Sequence, residues 1–178
     1  MHPSRARSLT ILALAVFATA ATAQHRHAHV HGVVALEAAL DGGTLDVTLR
    51  APLDSLLGFE RPPRSDAEKR AAQALQTRLG TDPAMLRPDP AAACTPAGVE
   101  LISAALGLGT APPDADGHAE LEARWRFSCT APDKLGHLDL GFVGTYRGIG
   151  RVEATTVGAK GQHKAVLRRP AQRLAWPR

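Results

Sequence analysis

Four histidines occupy alternate positions near the start of the chain: His25, His27, His29 and His31. Imidazole is the commonest metal ligand in proteins, and alternate side chains of an extended strand point to the same side. The segment therefore offers up to four nitrogen donors along one line. Such donors suit Zn²⁺, Cu²⁺ and Ni²⁺ alike, so the spacing predicts metal binding and leaves the metal open.

A second pair of candidate ligands lies on a later segment, where alternation over 118–129 places His118 and Glu120 on the polar face of a predicted strand. His29 and His31, at the entry to the first strand, would have Cα atoms about 6.5–7 Å apart, so both imidazoles can reach one ion. Zinc takes about four ligands. Either His25 and His27, or His118 and Glu120, would complete the set.

The beginning of the chain resembles an export signal. Arg5 and Arg7 precede an apolar run over 9–23, and Ala21-Thr22-Ala23 is a small-x-small cleavage sequence. We therefore predict cleavage after Ala23 and a periplasmic location. The expected parts are a signal peptide at 1–23 and one domain at 24–178, with a flexible histidine-rich lead at 24–29 and a basic tail at 168–178.

The chain has two cysteines, Cys94 and Cys129. An isolated pair in an exported protein favours a disulfide, and Cys129 falls on the apolar face of its predicted strand.

Alternating apolar residues also predict a hairpin, with strands at 30–40 and 45–49 around Gly42-Gly43. A two-residue turn there pairs apolar residues throughout: Leu40 with Leu45, Ala38 with Val47, and Leu36 with Leu49.

Ser65 and Glu68 form a capping-box sequence that predicts a main helix ending at Gly80, and Asp82-Pro83 predicts a short second helix. Residues 51–63 are expected to be irregular and 87–97 to be a linker. Further strands are predicted at 99–106, 135–140, 151–157 and 164–167, with a helical turn at 142–149. The expected fold class is α+β, a mostly antiparallel β-sheet with one main helix, one short helix and one disulfide.

The sequence motifs do not favour an enzyme. There is no Gly-x-Ser-x-Gly, no His-Glu-x-x-His and no phosphate-binding glycine loop. The formal net charge is +4, but before the final residues the chain has no basic run interleaved with aromatic residues. No nucleic-acid partner is therefore expected. No membrane span is expected after signal cleavage.

Several short motifs together resemble the ZrgA-like family of periplasmic zinc-uptake proteins. In chain order they are His29-Val30-His31-Gly32, Leu53 to Gly58 followed by Phe59-Glu60, Cys94-Thr95, the stretch 117–129 that opens with His-Ala-Glu, and Leu138-Asp139-Leu140. The resemblance implies a periplasmic zinc-binding protein, made under zinc limitation, that assists an ABC-type importer by metal capture and hand-off. Its implied partner is the importer's solute-binding protein.

The resemblance places the zinc ligands at His29, His31, His118 and Glu120, with His25 and His27 as auxiliary donors. Two features depart from the family pattern. The loop at 107–117 contains no histidine, and Arg61 follows Phe59-Glu60 where the family has histidine. Both departures favour a single site, or a degraded one, over high-capacity zinc storage.

Two other functions fit the same residues. One is a non-metal envelope module that docks a partner through its sheet face and basic tail. The other is a copper or nickel chaperone that uses the amino-terminal histidines. The sequence does not indicate an oligomeric state.

Overall fold

The computed structural model describes residues 31–110 and 119–177. Nine strands lie in these ranges: β1 (Val33–Asp41), β2 (Thr44–Pro52), β3 (Arg87–Pro88), β4 (Cys94–Ile102), β5 (Glu120–Cys129), β6 (His137–Asp139), β7 (Arg151–Gly158), β8 (Gly161–Arg168) and β9 (Arg173–Ala175). Three helices accompany them: α1 (Leu53–Leu57), α2 (Asp66–Thr81) and α3 (Gly141–Thr145). The predicted signal peptide and the lead at 24–29 lie outside the described residues.

Six strands form the main sheet in the order β4-β5-β2-β1-β7-β8, and β3, β6 and β9 form a smaller one. Only the β1–β7 pair is parallel among the strand pairs of the described ranges. The β1–β2 hairpin has the predicted register, with Leu40 opposite Leu45 and Leu36 opposite Leu49. This confirms the predicted α+β class with its mostly antiparallel sheet.

One face of the main sheet packs on the core, and the opposite face carries ion pairs. Leu36, Leu49 and Leu121 on the inner face are completely buried, as alternation predicts. The indole N–H of Trp125 on β5 donates to the carbonyl of Leu79, 3.0 Å away, which fixes α2 against this face. On the outer face, Arg50 bonds both Glu37 and Glu122 across neighbouring strands.

The capping box of α2 is confirmed, because the Ser65 hydroxyl accepts from the Glu68 amide and the Glu68 carboxylate accepts from the Ser65 amide. The helix continues one residue beyond Gly80, to Thr81. The Cys94–Cys129 disulfide is also confirmed, and it joins residues that are directly opposite in the β4–β5 ladder.

Three predictions for connecting segments are wrong. Residues 51–63 are not all irregular, since β2 runs to Pro52 and α1 follows it directly. The short helix predicted after Asp82 is a turn: the Asp82 side chain accepts from the Ala84 amide and the Asp82 carbonyl from the Met85 amide, but the chain then extends into β3 at Arg87. The predicted linker at 87–97 contains β3, a short 3₁₀ turn and the start of β4, because those residues find partners far away in sequence.

The carboxyl-terminal residues also contribute to the fold. Arg173 on β9 donates two hydrogen bonds to the Asp139 carboxylate, at 2.7 and 3.2 Å, and Trp176 is 8% exposed. Over the described ranges, no helix combines the length and the apolar character that a membrane crossing requires.

The sheet topology brings distant segments to one end of the main sheet. Because β1 and β7 are parallel, both begin there, and the antiparallel β2 ends there. The first residue of β5, Glu120, lies opposite the last residue of β2, Pro52. Residues just before β1 and β7, and just after β2, therefore meet at this end.

Candidate metal centre

Gly32 joins three segments at this end of the sheet. Its carbonyl accepts from the amides of Gly150 and Arg151, both at 2.9 Å, and its amide donates to the Ser55 hydroxyl at 3.1 Å. Its φ of +76° lies in the left-handed region, which glycine adopts without the strain that a Cβ causes. His31, directly before Gly32, is thereby held next to α1 as β1 begins.

Helix α1 presents Asp54 to His31. Leu53 and Ser55 are almost completely buried, while the Asp54 side chain between them is 20% exposed. The His31 Nδ1–H donates to Asp54 Oδ2, and the Ser55 hydroxyl donates to Asp54 Oδ1 at 3.1 Å. Both carboxylate oxygens of Asp54 are therefore oriented before any ligand arrives.

The segment after α1 supplies a second carboxylate. Gly58 caps α1 in the left-handed conformation, with φ +82°, and its amide donates to the Asp54 carbonyl at 2.8 Å. The chain then turns so that Glu60 Oε1 lies 3.9 Å from His31 Nδ1. One donor atom each from His31, Asp54 and Glu60 lies within 4.8 Å of the other two. In the described residues, no other three His, Cys, Asp or Glu side chains meet this closely.

Arg61, the residue after Glu60, is bonded to the start of α2. Its guanidinium forks onto the Glu68 carboxylate, at 3.0 and 2.7 Å, and lies 5.2 Å from the centre of the Phe59 ring. Its charge is thus paired at the start of α2. The arginine that departs from the family pattern therefore anchors the segment that carries Glu60 to α2.

Glu68 is the centre of this anchor. The hydrogen bond from Arg61, together with those from the Arg64 and Ser65 amides, lowers the pKa of Glu68 to about 2. Because the pKa is lowered on folding, these contacts stabilise the protein above the ordinary carboxyl value, and their contribution disappears as pH falls toward 2. Glu68→Gln is therefore expected to lower the melting temperature at pH 5–7.

Thermal unfolding across pH checks this prediction. The melting temperatures of wild type and Glu68→Gln should converge between about pH 4 and pH 2. Asp133→Asn removes another exposed carboxylate and is the control. A gap between wild type and Glu68→Gln that stays constant down to pH 2 would contradict the proposed role of the ionised carboxylate.

The site's charge favours a cation. The hydrogen bond to Asp54, and the charges of Asp54 and Glu60, raise the pKa of His31 above its ordinary value. A divalent ion would replace this proton and satisfy both carboxylates. Zinc bonds of about 2.0–2.1 Å put tetrahedral ligand atoms roughly 3.4 Å apart. His31 and Asp54, now in direct hydrogen-bond contact, would separate to admit the ion, and Glu60 Oε1, 3.9 Å from His31 Nδ1, would move closer.

Ligand types and exposure point to an open site. One imidazole and two carboxylates form a three-ligand set that zinc accepts, with a fourth position left for water or another donor. The His31 side chain is 73% exposed. An ion held here would be accessible from solvent.

Comparison with known proteins also points to zinc. The sequence profile of a family described as "ZrgA family zinc uptake protein" matches residues 28–176. The chain belongs to the ZrgA family. A search of curated proteins found no match. The ZrgA match includes His31, Asp54 and Glu60, and the family's zinc uptake role agrees with a metal group made from them.

Two of the ligands predicted from the sequence, His31 and Glu120, lie in the described residues. His31 lies in the metal group, whereas Glu120 is not among the donors within 4.8 Å. His25, His27, His29 and His118 lie outside the described residues, so their roles stay predictions. Asp54 and Glu60 were not among the predicted ligands. A lone acid on a short helix has no distinctive spacing. The resemblance of 53–60 to the family was the only feature in the sequence that could have identified them.

Proposed function

We propose that the protein binds Zn²⁺ through His31, Asp54 and Glu60 in the periplasm and delivers it to an ABC-type zinc importer. The observation that supports the site is the convergence of these three donors at one end of the sheet. Membership of the zinc uptake family supports zinc as the cargo. His29 and His118, close in sequence to this end of the sheet, remain candidates for the fourth ligand.

Hand-off follows from the openness of the site. A structural zinc site is closed by four protein ligands, whereas a three-ligand site exchanges its remaining position. An incoming donor from the importer's solute-binding protein can occupy that position before His31, Asp54 and Glu60 release the ion. The protein's part in transport is then capture and transfer, with no bond chemistry on a substrate.

Calorimetry of the purified protein with ZnCl₂ tests the site. We expect one zinc per chain with a Kd tighter than about 10 µM at neutral pH. Binding should release a proton, seen as a buffer-dependent enthalpy, because His31 is protonated more readily than a free imidazole. Binding weaker than this, or none, would reject the proposed function.

The alternative metals are tested by competition. Copper binds nitrogen and oxygen sites more tightly than zinc in general, so affinity alone does not identify the cargo. Metal content of protein purified from zinc-starved cells, together with growth of a deletion strain complemented by wild type or by Asp54→Asn, separates zinc delivery from copper or nickel handling. Rescue by Asp54→Asn equal to wild type would contradict the proposed site.

A further inference from the structure

The two edges of the main sheet differ in how they can pair with another strand. Edge strand β4 contains Pro96 and has a break in register between Pro96 and Gly98. Proline and irregularities of this kind block the addition of a further strand. Edge strand β8 has neither, and its eight residues pair with β7 in one uninterrupted register. In β8, residues 161–166 are all exposed.

We infer that β8 is a self-association edge, at which two copies of this chain pair antiparallel and join their main sheets. The inference is independent of metal binding. The backbone groups that would make the contact follow from the hairpin. Gly158 and Gly161 close a two-residue turn, so this pair is hydrogen-bonded. From there the β7–β8 pairs alternate between non-hydrogen-bonded and hydrogen-bonded. The N–H and C=O groups of Gln162, Lys164 and Val166 then point to the open edge, whereas the Arg168 carbonyl accepts from the Ala171 amide.

Among registers with the axis at Lys164, Ala165 or Val166, the side-chain charges favour one. In a joined sheet, the core-packing faces of the two copies must lie on the same side. Because side chains alternate between faces, the two-fold axis must then pass through a residue of β8 and not between two residues. An axis at Lys164 would place two lysines opposite each other, and an axis at Val166 would place Lys164 opposite the second copy's Arg168. An axis at Ala165 places Lys164 opposite Val166, with no like charges directly opposed.

Charge complementarity supports the Ala165 register. Val166 lies opposite Glu153 of its own β7. Lys164 of one copy therefore lies two strands from Glu153 of the other, about 10 Å between backbones, which the two long side chains can span above Val166. Symmetry makes this contact twice. It would also cover Val166, which at 60% is the most exposed large hydrophobic residue of the described ranges.

A cavity beside β8 supports the same edge. About 210 Å³ of space, lined by Leu40, Leu135, Trp176 and His163, lies under the inner face of the β7–β8 hairpin. With the axis at Ala165, Leu167 of the second copy lies opposite His163. The added strand would extend the wall of this largely apolar cavity.

Sedimentation of the disulfide-bonded full chain over about 5–500 µM tests the inference. We expect a concentration-dependent dimer, and a three- to tenfold weaker one for Lys164→Glu and for Glu153→Lys. The double variant should regain wild-type dimerisation, because it restores opposite charges. Lys69→Glu, on α2, is the charge-matched control.

Amide hydrogen exchange of the same samples tests the register. The amides of Lys164 and Val166 should become protected as the dimer forms, whereas those of His163 and Ala165, bonded to β7, should be protected at every concentration. A monomer at all concentrations would overturn the inference and leave the edge to a strand from another protein. Unchanged dimer affinity in both single charge-reversal variants would overturn it as well, and so would a double variant whose dimer affinity stays below that of wild type.

Discussion

Replacing Asp54 with asparagine should weaken zinc binding about a hundredfold or more. Loss of an outer-shell partner alone costs about 10–100-fold in metal affinity, and Asp54 is a direct donor in a three-ligand site. The asparagine oxygen can still accept from Ser55, and the α1 backbone bond from Gly58 is unchanged. The fold should therefore survive, and calorimetry should report loss of the ligand itself.

Related variants show how the site is organised. Glu60→Gln and His31→Ala should give losses of similar size. Ser55→Ala should cost about tenfold, because the Ser55 hydroxyl orients Asp54 and accepts from the Gly32 amide but is not itself a zinc donor. Asp133→Asn, a remote exposed acid, should bind zinc like wild type. Undiminished binding by Asp54→Asn, with loss in His118→Ala instead, would place the site on the ligands predicted from the sequence pattern and contradict the group described above.

Gly148→Ala should destabilise the protein by about 3 kcal/mol and weaken zinc binding at the same time. A Cβ at Gly148 would lie 2.4 Å from the Ser55 carbonyl oxygen and 2.9 Å from the Ser55 Cα, both backbone atoms that cannot rotate away. Overpacking of this kind typically costs about 1–3 kcal/mol, and occasionally more. Helix α1 would have to move, and Asp54 would move with it.

Gly150→Ala is the matched control, two residues along the same loop. A Cβ there meets only the Gly32 carbonyl oxygen, at 3.5 Å, which is ordinary van der Waals contact. Melting temperatures should fall by roughly 5–10 °C for Gly148→Ala and by little for Gly150→Ala. Equal melting temperatures for the two variants, or full zinc affinity in Gly148→Ala, would show that α1 is not held by this contact.

Arg61 illustrates how a departure from a family pattern can mislead. In the sequence, a cation in place of histidine beside Glu60 indicates a damaged metal site. In the structure the guanidinium is bound to Glu68, and the residue anchors the segment that carries Glu60. The direction in which a long side chain points depends on partners distant in space, which sequence neighbours do not reveal.

The sequence by itself determined the elements whose signals are local. Alternation and the Gly42-Gly43 turn determined the first hairpin and its register, and the Ser65–Glu68 capping box determined where α2 begins. The disulfide followed from a lone pair of cysteines in a chain with a predicted export signal. The hairpin and the helix start depend on residues within a few positions of one another. The disulfide was predictable because two cysteines allow only one pairing.

Only the tertiary structure decided which residues surround His31. The parallel β1–β7 pair and the antiparallel β2 bring 31–32, 53–60 and 148–150 to one end of the sheet. Asp54 and Glu60 carry no pattern that distinguishes them from other surface acids. Their convergence on His31 results from strand order and from the close contact of Gly148 with Ser55, both of which are long-range packing.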